Sequence, residues 1–140
     1  MFAAQGIHIL RQEGVPIRLG GETLNLIGLD DSITDDKAID HLVVPGSVNI
    51  LLNHNPNDFD QAAELGFDLM LAGHTHGGQL SLEFLHRGLC LMRLETPYVS
   101  GWYEKSRGQL YVNRGIGTTI LPILLGARPE ITVFELVRGV

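Results

Sequence analysis

The stretch Asp68-Leu-Met-Leu-Ala-Gly-His-Thr-His-Gly-Gly-Gln79 decides how this chain is read. An apolar run ends in His74-Thr75-His76 and breaks at Gly77-Gly78. Residues i and i+2 of an extended backbone point to one face, so both imidazoles project the same way from a strand end. Neutral imidazole is the commonest protein ligand for transition metals. The glycines let the chain turn away without crowding what the rings hold. Upstream, Val48-Asn-Ile-Leu-Leu-Asn-His54 is a second apolar run that also ends in histidine. Two strands delivering histidine at their C-terminal tips describe a metal site, with His54, His74 and His76 as ligands. His8, His41 and His86 lack that setting and read as structural histidines.

The segments between these strands read as a strand-helix-strand unit. Pro45-Gly46 is a turn before the strand Val48–Leu52. Asn57 is placed to cap a helix over Asp58–Leu65, which Gly66 stops, and Asp68–Ala72 follows as a strand. Such a unit predicts a right-handed crossover between parallel neighbours. Met1–Gln5 reads as the end of a helix, Gly6–Leu10 and Glu22–Leu29 as strands, and Thr34 as the N-cap of a short helix towards His41. Leu80–Leu94 is apolar but irregular, and Tyr98–Tyr103 is an aromatic stretch. Gln109–Val112 and Ile131–Val137 read as later, mostly antiparallel strands joined by the Gly- and Pro-bearing loop Gly115–Pro129. The class is α/β with mixed strands.

At this point the residues resemble a known family. His54-Asn55-Pro56 after an apolar strand, then a helix, then Gly73-His-Thr-His-Gly-Gly-Gln79, is similar to the C-terminal half of a calcineurin-like metallophosphoesterase. Leu110-Tyr-Val-Asn-Arg-Gly-Ile-Gly-Thr118, Leu121-Pro122 and Arg128-Pro-Glu-Ile131 point to one bacterial branch, and the resemblance runs from about Gly6 to Val137. It implies the C-terminal half of a two-sheet sandwich flanked by helices, over residues 1–140 as one partial domain. It also implies phosphoester hydrolysis by a metal-bound hydroxide at a dinuclear site. Residue by residue, His54 and His74 match ligands of the second metal and His76 a ligand of the first. The early Asp-x-His, Gly-Asp and Gly-Asn-His motifs of the family do not occur in the 140 residues, so the bridging carboxylate has no counterpart. The resemblance thus implies three histidine ligands from this chain, and little or no turnover by the chain alone. It also implies, for the parent enzyme, a phosphoester small molecule or lipid-linked substrate and a membrane association. Imidazole ligands suit Mn, Fe, Zn or Ni, and the sequence leaves the choice open.

Other residues carry two readings each. Asn53 and Asn55 either fix the His54 imidazole or build the turn before Pro56. Gln79 either reaches back towards a metal-bound oxygen or caps the Gly-Gly turn. Asn113 and Arg114, at a strand exit, face an anionic substrate or form a surface salt bridge. Asp30-Asp31 reads as a solvated bend.

Composition bounds the alternatives. With 44% hydrophobic and 19% charged residues the chain is an ordered globular domain. A net charge of −6 without a Lys/Arg cluster argues against a nucleic-acid partner. Cys90 is the single cysteine and forms no intrachain disulfide. No signal peptide or transmembrane span is read, and the default compartment is cytoplasmic. A cupin-like mononuclear module is disfavoured, because Leu80 and Ser81 stand where its carboxylate would fall. A non-catalytic remnant stays open. In the related fold the first strands would lie against Val48–Leu52 and Asp68–Ala72. The isolated chain is therefore expected to present an unpaired edge, and to self-associate or need a complementing N-terminal segment.

Overall fold

A computed structural model describes residues 3–30, 32–33, 39–78, 94–118 and 126–137. Their backbone forms one six-stranded mixed sheet in the order β1-β2-β3-β4-β6-β5, with a single α-helix. The strands are β1 (Glu13–Leu19), β2 (Glu22–Gly28), β3 (Val48–Leu52), β4 (Leu69–Ala72), β5 (Gly101–Lys105) and β6 (Gly108–Val112). The helix α1 spans Phe59–Leu65 between β3 and β4. Strands β2, β3, β4 and β6 run parallel, while β1 and β5 close the two edges as antiparallel hairpin partners of β2 and β6.

The central strands obey the sequence pattern. In register, Ile27, Leu51, Met70 and Leu110 line up across β2, β3, β4 and β6 on one face. Each is essentially inaccessible to solvent, and they pack with Phe59, Ala62 and Ala63 of α1. Gly66 ends α1 in the left-handed region at φ 97°, a conformation that costs glycine nothing. One row further along, Asn25 and Asn49 are buried side by side. Asn25 donates to the Asn49 carbonyl oxygen at 3.0 Å and to the Leu42 carbonyl at 2.8 Å. The Asn49 side chain in turn accepts from the Val44 amide and donates to the carbonyls of Val44 and Ser47. A buried polar pair is thereby satisfied while it ties the 42–47 loop to the sheet.

The opposite face is also apolar, because alternation puts Leu26, Ile50 and Leu69, and then Leu52, Leu71 and Tyr111, on that side. Phe134 lies against Trp102 and Tyr111, and Leu136 and Val137 border a groove with Leu19, Leu24 and Val48. Cover is incomplete, with Val48 52% and Leu19 54% exposed.

Several expectations are corrected. Gly6–Leu10 makes no ladder; the chain crosses the end of β2, where Leu10 lies so close to Gly28 that a Cβ there would sit 2.4 Å from the Leu10 Cβ. The strand that does form, β1, is an edge strand in which Val15, Ile17 and Leu19 alternate with Pro16 and Arg18, and the proline is tolerated because the strand is an edge. It is turned by Gly20 and Gly21, both at positive φ, between the paired Leu19 and Glu22. Ile131–Val137 forms no strand either. Asn55, not Asn57, caps the entry to α1: its side chain accepts from the Asn57 amide at 3.0 Å, and Pro56 opens a 3₁₀ turn that runs into the helix. The central strands β3 and β4 are not edges, since β2 and β6 flank them. The helix expected from Thr34, Cys90 and the Leu121-Pro122 motif lie outside the described residues. Among the described residues no helix is long and apolar enough to cross a membrane.

Candidate metal centre

The two histidine-bearing turns meet because β3 and β4 stay zipped past their ends. The Asn53 amide donates to the Leu71 carbonyl at 3.1 Å, and the Gly73 amide to the His54 carbonyl at 3.3 Å. This leaves His54 beside His74, with Nδ1 of His74 2.9 Å from Nε2 of His54 and the rings edge to face. Both side chains are exposed at the C-terminal end of the parallel sheet, where open α/β sheets bind their ligands.

Two imidazole lone pairs do not face each other at that distance unless something positive lies between them. A proton satisfies this, with one ring donating to the other. A cation satisfies it too. Two nitrogens each about 2.0–2.1 Å from an ion stand about 2.9 Å apart at the right angle of an octahedral site and about 3.3 Å apart at a tetrahedral one. The pair therefore fits two neighbouring ligands of one metal ion.

His76 is placed differently. Its Nδ1 donates to the Gly117 carbonyl at 3.1 Å, the kind of backbone bond that fixes an imidazole tautomer with the lone pair on Nε2. Among the described residues no three His, Cys, Asp or Glu side chains come together with metal-ligand spacing. The structure thus unites His54 and His74, and sets His76 two residues further along the same turn, bonded to Gly117.

The backbone of that turn is unusual. His74 has φ 70° and His76 φ 49°, left-handed values for residues with a Cβ, and Gly77 and Gly78 follow at 62° and 81°. The Thr75 amide donates to the Gly73 carbonyl at 2.8 Å, so His74 is the middle residue of a positive-φ γ-turn, a rare and strained form. Between the two histidines, Thr75 is 2% exposed and donates its hydroxyl to the Val99 carbonyl at 2.5 Å. Gly77 is enclosed: a Cβ there would meet Arg114 Cγ at 2.9 Å and Ala127 Cβ at 3.0 Å.

The remaining expected residues fall as follows. The Asn53 side-chain nitrogen donates to Asp58 Oδ2 at 2.6 Å and to the Asn55 carbonyl at 3.3 Å, whereas its Oδ1 is buried with no partner among the described residues. Asn113 donates to the Thr132 hydroxyl and accepts from the Gly115 amide. Arg114 pairs with Glu130 at 3.5 Å, with its stem over Gly77. His8 and His41 sit on the surface beside Glu13 and Asp40, and Asp30 beside Arg11, away from the pair. Gln79 and His86 lie outside the described residues. The sequence reading passed over Asp58 and Thr75. An acid at the mouth of α1 reads locally as a helix lead-in, and no local pattern links Thr75 to Val99.

Comparison with known proteins adds the following. An uncharacterised protein of Bacillus subtilis, YpbG, is 36% identical over 142 residues, covering 97% of this chain and 51% of that protein. YkuE of the same organism, named as an uncharacterised metallophosphoesterase, is 41% identical over 88 residues, 63% of this chain and 30% of its own length. LpxG of Chlamydia trachomatis, named as a UDP-2,3-diacylglucosamine pyrophosphatase, is 32% identical over 107 residues, 69% of this chain and 32% of its own. Further relatives bear the names metallophosphoesterase or phosphodiesterase. The chain spans about half the length of these curated relatives or less. No protein-family profile matches it. No solved structure matches it either.

Proposed function

Because the chain belongs to the metallophosphoesterase family, we propose that it is the C-terminal half of a phosphoester hydrolase domain, carrying His54, His74 and His76 as its share of a dinuclear metal site. The observation that supports this most is the 2.9 Å approach of His74 Nδ1 to His54 Nε2. In the proposed assignment these two hold one ion and His76 the other. Bound divalent ions of the Mn, Fe, Zn or Ni kind would supply positive charge to the phosphoryl oxygens and to the attacking water.

The chain's own residues do the holding. His54 and His74 bring Nε2 and Nδ1 together at 2.9 Å. Gly117 orients His76. Gly77, without a Cβ, lets the Arg114 and Ala127 side chains pack against the turn that carries the histidines. Arg114 is the candidate for contacting a phosphate oxygen, and Glu130 holds it until an anion competes. Asn113 braces the loop that carries it, and Gln79 is retained as a candidate neighbour of the metal oxygen. The apolar face that the described residues half cover fits the second sheet of a sandwich, and a complementing N-terminal segment or self-association is the proposed source of it. The chlamydial relative's named substrate class makes a lipid-linked phosphoester the first to try.

For the chain by itself, the described donors favour a second reading, weak mononuclear binding with little turnover, because two imidazoles meet and no carboxylate joins them. A cobalt titration followed by its visible absorption tests the proposal. Wild type should bind, and His54→Ala and His74→Ala should each abolish the signal. Hydrolysis of an aryl phosphodiester with added manganese should be near background. Cobalt binding indifferent to both substitutions would remove the assignment.

A further inference from the structure

The backbone at His74 and His76 is held against its own preference, and the restraint is visible. Left-handed residues with a Cβ, like positive-φ γ-turns, persist only where the surroundings over-determine them. Here the one buried side chain between the two rings is Thr75, and its hydroxyl reaches the Val99 carbonyl at 2.5 Å. That carbonyl belongs to a fixed segment. The Val99 and Ser100 amides both donate to the Tyr103 hydroxyl, at 2.9 and 3.3 Å, and Val99 itself is fully buried. Tyr103 is seated edge to face on Tyr98, which is seated likewise on Phe59 at the start of α1. A continuous line of contacts therefore runs from the helix, through the tyrosines and Val99, to the residue between the two histidines.

We propose that Thr75 is the positioning residue of the centre: its hydroxyl bond to Val99 holds the turn in the conformation that brings His74 Nδ1 against His54 Nε2. The geometry of the strands does not do this alone. The β-ladder continues only to Gly73, through its amide bond to the His54 carbonyl, and the chain leaves the ladder at His74. From there the direction of the His74 ring depends on its φ of 70°, which a relaxed turn would not keep. The proposal deepens the metal reading and rests on it only in part, since the His54–His74 approach is a hydrogen-bond distance in its own right.

The test uses the full chain with two substitutions. Thr75→Val keeps the shape and removes the hydroxyl, whereas Thr75→Ser keeps the hydroxyl and is the conservative rescue. In the metal-free protein, nitrogen-15 labelled at histidine, the hydrogen-bonded pair should give a scalar coupling between His74 Nδ1 and His54 Nε2. Thr75→Val should lose that coupling and Thr75→Ser should retain it. In a cobalt titration Thr75→Val should weaken affinity about 10- to 100-fold, the range seen when a residue supporting a ligand is removed, with Thr75→Ser close to wild type. A role limited to general stability would lower the melting temperature of Thr75→Val but leave both the coupling and the affinity intact. That outcome overturns the proposal. A wild type that shows the coupling but binds no cobalt removes the metal assignment and leaves the positioning role standing. A wild type with no coupling removes the positioning role.

Discussion

Asp58 Oδ2 accepts two hydrogen bonds at once, from the Asn53 amide at 2.6 Å and from the Ile33 backbone N–H at 3.0 Å. One carboxylate at the mouth of α1 thus joins the exit of β3, immediately before His54, to the 32–33 segment. Asp58→Ala removes the acceptor of the Ile33 N–H and leaves the Asn53 side-chain amide only its longer bond to the Asn55 carbonyl, and Asn53 and Ile33 are both buried. A loss of about 2–3 kcal/mol is expected, with Asp58→Asn costing less because an amide oxygen replaces the acceptor. Urea melts of the two variants check this, and equal stability of Asp58→Ala and wild type would refute it.

Asn49 is the structural counterpart at the other end of the same strand. Asn49→Ala strips partners from the buried Asn25 amide and from the Val44 N–H. Destabilisation of about 2–4 kcal/mol follows. Hydrogen exchange should show faster exchange of the Val44 amide, and an unchanged rate there would contradict the assignment.

Gly77→Ala meets two obstacles: a φ of 62° and a Cβ closer than van der Waals contact to Arg114 and Ala127. The expected cost is about 1–3 kcal/mol. Since the loop that moves away also carries the Gly117 carbonyl, the His76 ring signals should shift as well. A variant as stable as wild type with unmoved His76 resonances would show the turn to be slack.

Lys105 sets the alkaline behaviour. Its ammonium bonds to Asp60 and stands beside the Tyr98 hydroxyl, and these raise its pKa above the ordinary lysine value, Asp60 being the larger cause. A folded pKa above the unfolded one means the contribution is complete below about pH 10.4 and decays as pH climbs through the folded value. Both side chains are about half exposed, so the contribution is small and salt-sensitive. The stability gap between wild type and Lys105→Met should be flat from about pH 6 to 9, then shrink at higher pH. A gap that widens above pH 10 would reverse the sign.

What could be read in the sequence, and what could not, follows the range of the forces involved. β3 and β4 are apolar on nearly every residue, one face packed under α1 and the other partly covered, and that pattern fixed their limits to within a residue. Gly66 announced the helix stop through a local backbone need. The β1–β2 hairpin is not read from the sequence although Gly20-Gly21 is a turn signal and Val15, Ile17 and Leu19 alternate, because Pro16 within the run speaks against a strand. Ile131–Val137 alternates like a strand, yet its first residues follow a side-chain network in which Tyr111 and Asn113 bond to Glu130 and Thr132. The pairing of His54 with His74 was legible from two parallel strand exits. The separate setting of His76 depends on the Gly117 carbonyl, 41 residues away. No window of sequence contains that contact.

The zipped exits of β3 and β4 have a kinetic consequence. On the proposed assignment the first two donors already stand at ligand spacing before any ion arrives. Capture then requires no loop to close. What must change is the tautomer of one ring, whose N–H has to move to its outer nitrogen so that both lone pairs face the ion, and this needs no movement of the chain.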